Sequence, residues 1–188
     1  TGLLVYCQPV YDAFRAAAAR CDAGPHTIYM SPKGRVFDEK IAHELAGYKD
    51  LVILCAQYEG IDERVINEIC DEEISIGDYV LTGGETAAIV IIDAVSRLVP
   101  GVLPNEEAYT NESHTDNLLE APQYTKPPVW HDNEVPQVLK NGNKAVIDDY
   151  NHTAALVQTL EKRPDMLDSR TINEDEWQKI LAFKKSLC

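Results

Sequence analysis

The stretch "EISIGDYVLTGGE", residues 73–85, begins as a strand and ends as something else. Ile74 and Ile76 alternate with Ser75, the period-2 pattern of a half-buried strand. Gly77 then interrupts the pattern, and Gly83-Gly84 leads directly into an apolar helix predicted over Thr86–Leu98. Three glycines within eight residues weaken both a strand and a helix start. The usual reason is a close approach of backbone to something else. A tight strand-to-helix turn is the plain alternative, and the stretch alone does not choose between them. Its place at the carboxyl end of a parallel strand is where ligands bind in open α/β sheets. The spacing matches neither G-x-G-x-x-G nor the Gly-Lys-Ser/Thr phosphate loop, which argues against a dinucleotide or a nucleoside triphosphate.

Working outward, strands alternate with helices. A helix from Pro9 places Tyr11, Phe14, Ala17 and Ala18 on one face. Thr27–Met30 reads as a short strand closed by a Pro-Lys-Gly turn, and a helix is predicted over Asp38–Ala46. "LVILCA", residues 51–56, is a continuous apolar run suited to a central parallel strand. "GIDERVINEIC" supplies another short helix. The alternation implies an α/β domain with a mostly parallel sheet. The Thr86–Leu98 helix is apolar nearly all round, so burial on several sides is expected. From Val102 to about Pro128 the pattern dissolves into a long polar linker, and linkers of that length are usually functional. Beyond it, Val146, Ile147, Tyr150, Ala154, Val157 and Leu160 recur at helical spacing as far as Arg163-Pro164. Asn173 is the expected cap of a last helix carrying Trp177, Ile180, Leu181 and Phe183.

The 188 residues carry a net charge of −14, unevenly placed. Nine Lys and Arg face 11 Asp and Glu from Leu118 onward, leaving 8 against 20 before it. Composition therefore argues against a nucleic-acid partner. Between Tyr58 and Glu85 nine acids stand with one base, Arg64, which reads as a solvated face or as a site for a cationic ligand. Five cysteines show no C-x-x-C spacing and suggest neither disulfides nor a zinc site, with Cys55 behaving as a small hydrophobe. The five histidines are scattered and expected on the surface, and no metal-ligand spacing is present. No signal peptide is seen, and the longest apolar run, Ala87–Ile92, is too short to span a bilayer. A cytoplasmic protein without membrane contact is expected.

"YEGIDERV", "EISIGDYVLTGGE", "AVSRLVPGVL", "LLEAPQYTKP", "VPQVL" with "NGN", and "RPDML" occur in that order. Together they resemble the bacterial tRNA (guanine-N1)-methyltransferase family, TrmD, from about Leu3 onward. The resemblance implies a SPOUT-type fold with a deep trefoil knot and a small helical domain after it. The corresponding division is residues 1–103 for the knotted cofactor-binding domain, 104–117 for the linker, and 118–188 for a helical tRNA-binding domain. It also implies S-adenosylmethionine (SAM) as methyl donor, tRNA as partner, a homodimer, and methylation of N1 of the guanosine 3′ of the anticodon. A Mg²⁺ requirement is left open.

By the same resemblance, SAM contacts fall on Tyr29, Met30, Ser31 and Pro32, then on Ala56, Tyr58 and Glu59. They continue on Ile76, Gly77, Asp78, Tyr79, Val80 and Leu81, with Gly83 and Gly84. The glycines are thereby assigned to the ligand, which side chains would hold off. N1 of guanine carries a proton, so a general base is needed. Glu112 stands at the family's aspartate position, before Ser113, and Arg97 resembles the arginine that stabilises charge on the guanine O6. Base and cofactor are expected from different subunits. Two departures bear on activity: Ala56-Gln57 replaces a Gly-Arg pair, and Asp148-Asp149-Tyr150-Asn151 replaces a basic stretch expected on tRNA phosphates. Two readings therefore stand, an active methyltransferase and a truncated or degenerate knotted dimer that keeps the fold without catalysis.

Overall fold

The computed structural model describes residues 3–57, 59–104 and 112–186. Tyr58 and positions 105–111, half of the expected 104–117 linker, lie outside the described residues. The chain divides into two compact units, Thr1–Glu106 and Glu107–Cys188.

The first unit runs α1 (Cys7–Ala18), β1 (His26–Val36), α2 (Glu39–Ala46), β2 (Leu51–Leu54), α3 (Glu63–Ile69), β3 (Glu72–Ser75) and α4 (Glu85–Arg97). Its three strands are parallel, in the order β2-β1-β3. The continuous apolar run at residues 51–54 is thus an edge among the described strands, not the centre. The central strand is β1, buried on both faces. Ile28 and Met30 pack with α2 and α4 on one side, while Tyr29 packs with α1 and α3 on the other. Its place was hidden by Thr27 and Ser31, polar residues that are nonetheless buried. The Asp71 carboxylate accepts the Thr27 N–H at 2.7 Å, which satisfies the backbone at that end. Ile28, Leu45, Ile74 and Ile91 are fully buried, each contributing about 1.5–3 kcal/mol.

The expected Pro-Lys-Gly turn is instead a bulge within β1. Met30 and Arg35 both stand opposite Ile74, so residues 31–34 are looped out and the strand then resumes. Gly34 allows this, because a Cβ there would overlap the backbone of Glu73 and Ile74. Asp38 caps α2, its carboxylate accepting the Ile41 N–H at 2.9 Å. His26 departs from the expected surface histidine: it stacks on Tyr48 at 4.0 Å and lies 2.7 Å from a Glu72 carboxylate oxygen. Burial raises the Glu72 pKa, but hydrogen bonds from Arg35 and His26 outweigh it and hold the group below the usual range. Burial, assisted by Glu73 and Asp71, pushes the Cys70 thiol up to about 11, so it stays protonated.

α4 is covered on one side only. Ala87, Ala88, Ile91 and Val95 are buried, whereas Ile89 is 65% exposed, Val90 44% and Ile92 55%. The expected enclosure is therefore not supplied within the described chain. α2 and the sheet cover one face of the helix, and the apolar residues between the buried ones remain on the surface.

The second unit contains a short hairpin, β4 (Val129–Trp130) with β5 (Asn133–Glu134), and two helices, α5 (Lys144–Lys162) and α6 (Glu174–Ser186). Leu118, Leu156, Val157 and Ile180 form its core. Leu156 falls outside the expected apolar stripe, and Val146, inside it, is exposed. α5 is buried mid-length because a second segment docks on it. Thr159 accepts the Leu119 N–H at 2.8 Å, and Gln158 donates to the Glu120 carbonyl at 2.7 Å. The polar stretch read as running to about Pro128 is thus already packed at Leu118. Asn173 caps α6 as expected, accepting the Glu176 N–H at 2.9 Å while Glu176 accepts the Asn173 N–H at 3.0 Å.

Two measurements probe these elements. Gly34→Ala should destabilise the first unit by about 1–3 kcal/mol in urea unfolding, because backbone must move to admit the methyl group. In α6, the Asn173 N–H holds Glu176 at about 2 against the opposing effect of burial, with His152 and Arg170 adding to it. A carboxylate depressed on folding contributes stability above its ordinary pKa and loses it as pH falls through the folded value. The second unit should therefore lose stability between about pH 4.5 and 2. Glu176→Gln should flatten that acid limb in a pH series of melting curves.

Candidate functional site

The carboxyl ends of the three strands open onto a cleft of about 330 Å³ within the first unit. That volume lies at the lower end of small-molecule sites, roughly 300–1,000 Å³. The chain leaves β1 toward β2 on one side and later returns to β3 on the other, which creates the crevice expected at such a switch point. One wall is the β1 bulge from Tyr29 to Lys33, and another is the segment after β2 with Ala56 and Glu59 to Ile61. The third comprises the end of β3, the loop from Tyr79 to Gly84, and Ala87 of α4.

Tyr29, Met30, Ser31, Pro32, Ala56, Glu59, Ile76, Tyr79, Val80, Leu81, Gly83 and Gly84 are brought together there, as the sequence predicts. Tyr58 lies outside the described residues. Gly77 and Asp78 do not line the cleft. Gly77 shapes the loop instead, with φ at 147°. The Ser75 hydroxyl donates to the Gly77 carbonyl at 2.9 Å and accepts the Gly77 N–H at 3.2 Å. A Cβ on Gly77 would sit 2.6 Å from the Tyr79 ring. Asp78 is exposed.

The glycine pair has a different cause from the one expected. Gly84 faces protein: a Cβ would lie 3.1 Å from Met30 Cβ and 3.2 Å from Cys55 Cα. Its N–H bonds the Ala56 carbonyl at 3.1 Å, and Gly83 pairs with Gln57 as an isolated antiparallel bridge. The loop after β3 therefore returns across the end of β2, and what approaches Gly84 is the chain's own backbone. This seating sets the third wall of the cleft, which both glycines line.

Sequence reasoning missed Lys33 and Thr82 among the lining residues, and it noted Glu63 only as one acid of a possible cation-binding face. The signal available for Lys33 was its position beside Pro32, in what was read as a turn. Among the described lining residues the charged groups are Lys33, Glu59 and Glu63, set against apolar Met30, Ile74, Ile76 and Leu81. Three of the nine acids counted between residues 58 and 85 are engaged outside the cleft. Asp62 pairs with Arg64, Glu72 with Arg35 and His26, and Glu85 with Gln57. Burial, then the charge of Glu73, raises the Tyr29 pKa, so its phenol stays protonated.

Arg97 lies half-buried in the last turn of α4, in the first unit. Glu112 lies half-buried in the second, next to Ser113, whose hydroxyl accepts the Glu120 N–H at 3.0 Å. Asp149, in the stretch expected to be basic, pairs with Lys179 at 2.8 Å. No group of His, Cys, Asp and Glu able to hold a metal is found among the described residues, and no described helix is long and apolar enough to cross a membrane.

Comparison with known proteins adds to this geometry. A family model described as tRNA (Guanine-1)-methyltransferase TrmD matches residues 1–169. A protein of Ruminiclostridium cellulolyticum named tRNA (guanine-N(1)-)-methyltransferase is 51% identical over 167 residues, covering 89% of this chain and 72% of the relative. Proteins of the same name from Symbiobacterium thermophilum and Escherichia fergusonii are 46% and 45% identical, over 97% and 98% of this chain and 75% and 72% of theirs. These similarities support the enzyme reading over the degenerate one, and they overturn the compositional argument against nucleic acid.

The packing around Gly84 gives a direct test. Gly84→Val should lower the unfolding midpoint of the first unit, at a cost of about 1–3 kcal/mol from overpacking against Met30 and Cys55. An unchanged midpoint would return the glycine to a ligand role.

Proposed function

Because the chain belongs to the tRNA (guanine-1)-methyltransferase TrmD family, we propose that it methylates N1 of the guanosine immediately 3′ of the tRNA anticodon, with SAM as donor. One observation carries the proposal: the three segments that the family resemblance assigns to SAM converge on one cleft at the strand ends. The chemistry of the lining fits the donor. SAM presents a sulfonium, an ammonium and a carboxylate, and the cleft offers two carboxylates and one ammonium beside apolar walls. When bound, SAM supplies a methyl group activated by the positive sulfur.

The residues of the chain have the remaining work. Met30, Ile76 and Leu81 provide apolar surface that excludes water, and Glu59 sets a negative charge in the cleft. Glu112 is the base that takes the N1 proton onto its carboxylate. Arg97 stabilises the charge that deprotonation places on O6. The segment across residues 76–84 is read as part of a trefoil knot, and the second unit as the helical domain that holds tRNA. The exposed apolar residues of α4, Ile89, Val90 and Ile92, support a homodimer in which a second copy covers them. Sharing a site between subunits would bring Glu112 of one to the cleft of the other. Asp149, already neutralised by Lys179, opposes tRNA phosphates less than its bare charge suggests.

Methyl transfer from labelled SAM to an unmodified tRNA transcript with guanosine after the anticodon tests the proposal, with adenosine at that position as the control. Glutamate is one methylene longer than the family's aspartate, and a misplacement of about 1 Å can cost about a hundredfold. Glu112→Asp should therefore raise turnover, while Glu112→Gln should remove most of it. Equal rates for wild type and Glu112→Gln would move the base elsewhere.

A further inference from the structure

The cleft carries a charge pair that no assigned role uses. Lys33 belongs to the looped-out part of β1, and Glu63 is the first residue of α3. Both line the cleft, and the Lys33 Nζ lies 3.2 Å from a Glu63 carboxylate oxygen. Their side chains are 64% and 58% exposed, so the pair contributes about 1 kcal/mol or less to stability. Such a pair is easily exchanged for other partners.

The surroundings keep Lys33 charged. Its hydrogen bond to Glu63, then the charges of Glu73 and Glu63, raise its pKa. Glu73 stands opposite Tyr29 in the sheet, with one carboxylate oxygen buried and lacking a hydrogen-bond partner among the described residues. Lys33 is the only cation among the described lining residues, so a carboxylate entering this cleft has one counter-charge to find there.

We propose that Lys33 and Glu63 receive the amino-acid end of the methyl donor, Lys33 binding its carboxylate and Glu63 its ammonium. The inference rests on the reading that the cleft binds SAM. The exchange gains an ion pair: one between the side chains is replaced by two with the zwitterionic tail, which leaves Glu59 for the sulfonium. It also gives the cleft a means of telling a donor with an amino-acid tail from a plain thio-nucleoside, which the apolar walls alone could not supply.

Calorimetry on the full chain with two probes tests this. S-adenosylhomocysteine carries the tail, and 5′-methylthioadenosine lacks it. Lys33→Met and Glu63→Gln should each weaken S-adenosylhomocysteine about five- to tenfold and leave 5′-methylthioadenosine unchanged, while Lys33→Arg should keep most of the affinity. Melting curves check that each variant is folded. Equal weakening of both probes would make the pair a matter of rim shape and overturn the assignment, as would unchanged affinity for S-adenosylhomocysteine. A wild-type chain that binds neither probe would instead overturn the cofactor reading itself.

Discussion

The first unit depends on one constraint: β1 is buried on both faces, yet it must break from the sheet at its carboxyl end. Helices on either side leave no room for β1 to bend as a whole, since Ile28 and Met30 are packed one way and Tyr29 the other. The strand therefore breaks locally, releasing residues 31–34 from their ladder with β3 and resuming at Arg35. Backbone groups freed from a ladder need other partners, and one is found at once, where the Ser31 hydroxyl accepts the Lys33 N–H at 3.2 Å. The bulge becomes a wall of the cleft and carries Lys33 to it. Gly34 lets the strand rejoin β3 without displacing it, because a side chain there would overlap the partner backbone.

Much of this was legible in the sequence, for reasons that are local. The helix cap Asn173 acts through its nearest neighbours, so its meaning survives without the fold. The order of strands and helices followed from periodicity. The central strand did not, because hydrophobicity ranks "LVILCA" above "TIYMS", and only the Asp71 carboxylate shows how a polar strand end can be buried cheaply. The core role of Leu118, where the second domain was expected to begin, was not legible, since its partner Leu156 is remote in sequence.

The site was legible as a set of positions and misread in its causes. Three segments predicted to meet do meet. The glycines that prompted the reading, however, answer to protein contacts: Gly77 to the Tyr79 ring, and Gly84 to Met30 and Cys55. A glycine in sequence signals close approach but does not name the neighbour. Lys33 escaped notice, and Glu63 stood only as one acid among nine, because the pair takes on meaning when the fold sets them 3.2 Å apart in the cleft.

Net charge misled for a related reason. A total of −14 sums every surface of the molecule, whereas binding is decided by the field at one place. In the second unit many acids are already matched: Glu134 by Lys140, Asp149 by Lys179, Glu161 by Lys184 and Asp165 by Arg163. A matched acid repels a phosphate at short range less than a bare one, because its partner's field opposes it within a few ångströms. In the cleft the bookkeeping is equally local, since Lys33, Glu59 and Glu63 set the sign there whatever the rest of the chain carries. Part of the acidity of the first unit is structural, with Asp38 and Asp62 capping helices and Asp71 holding a strand end, whereas Glu59 and Glu63 are the carboxylates that face the cleft.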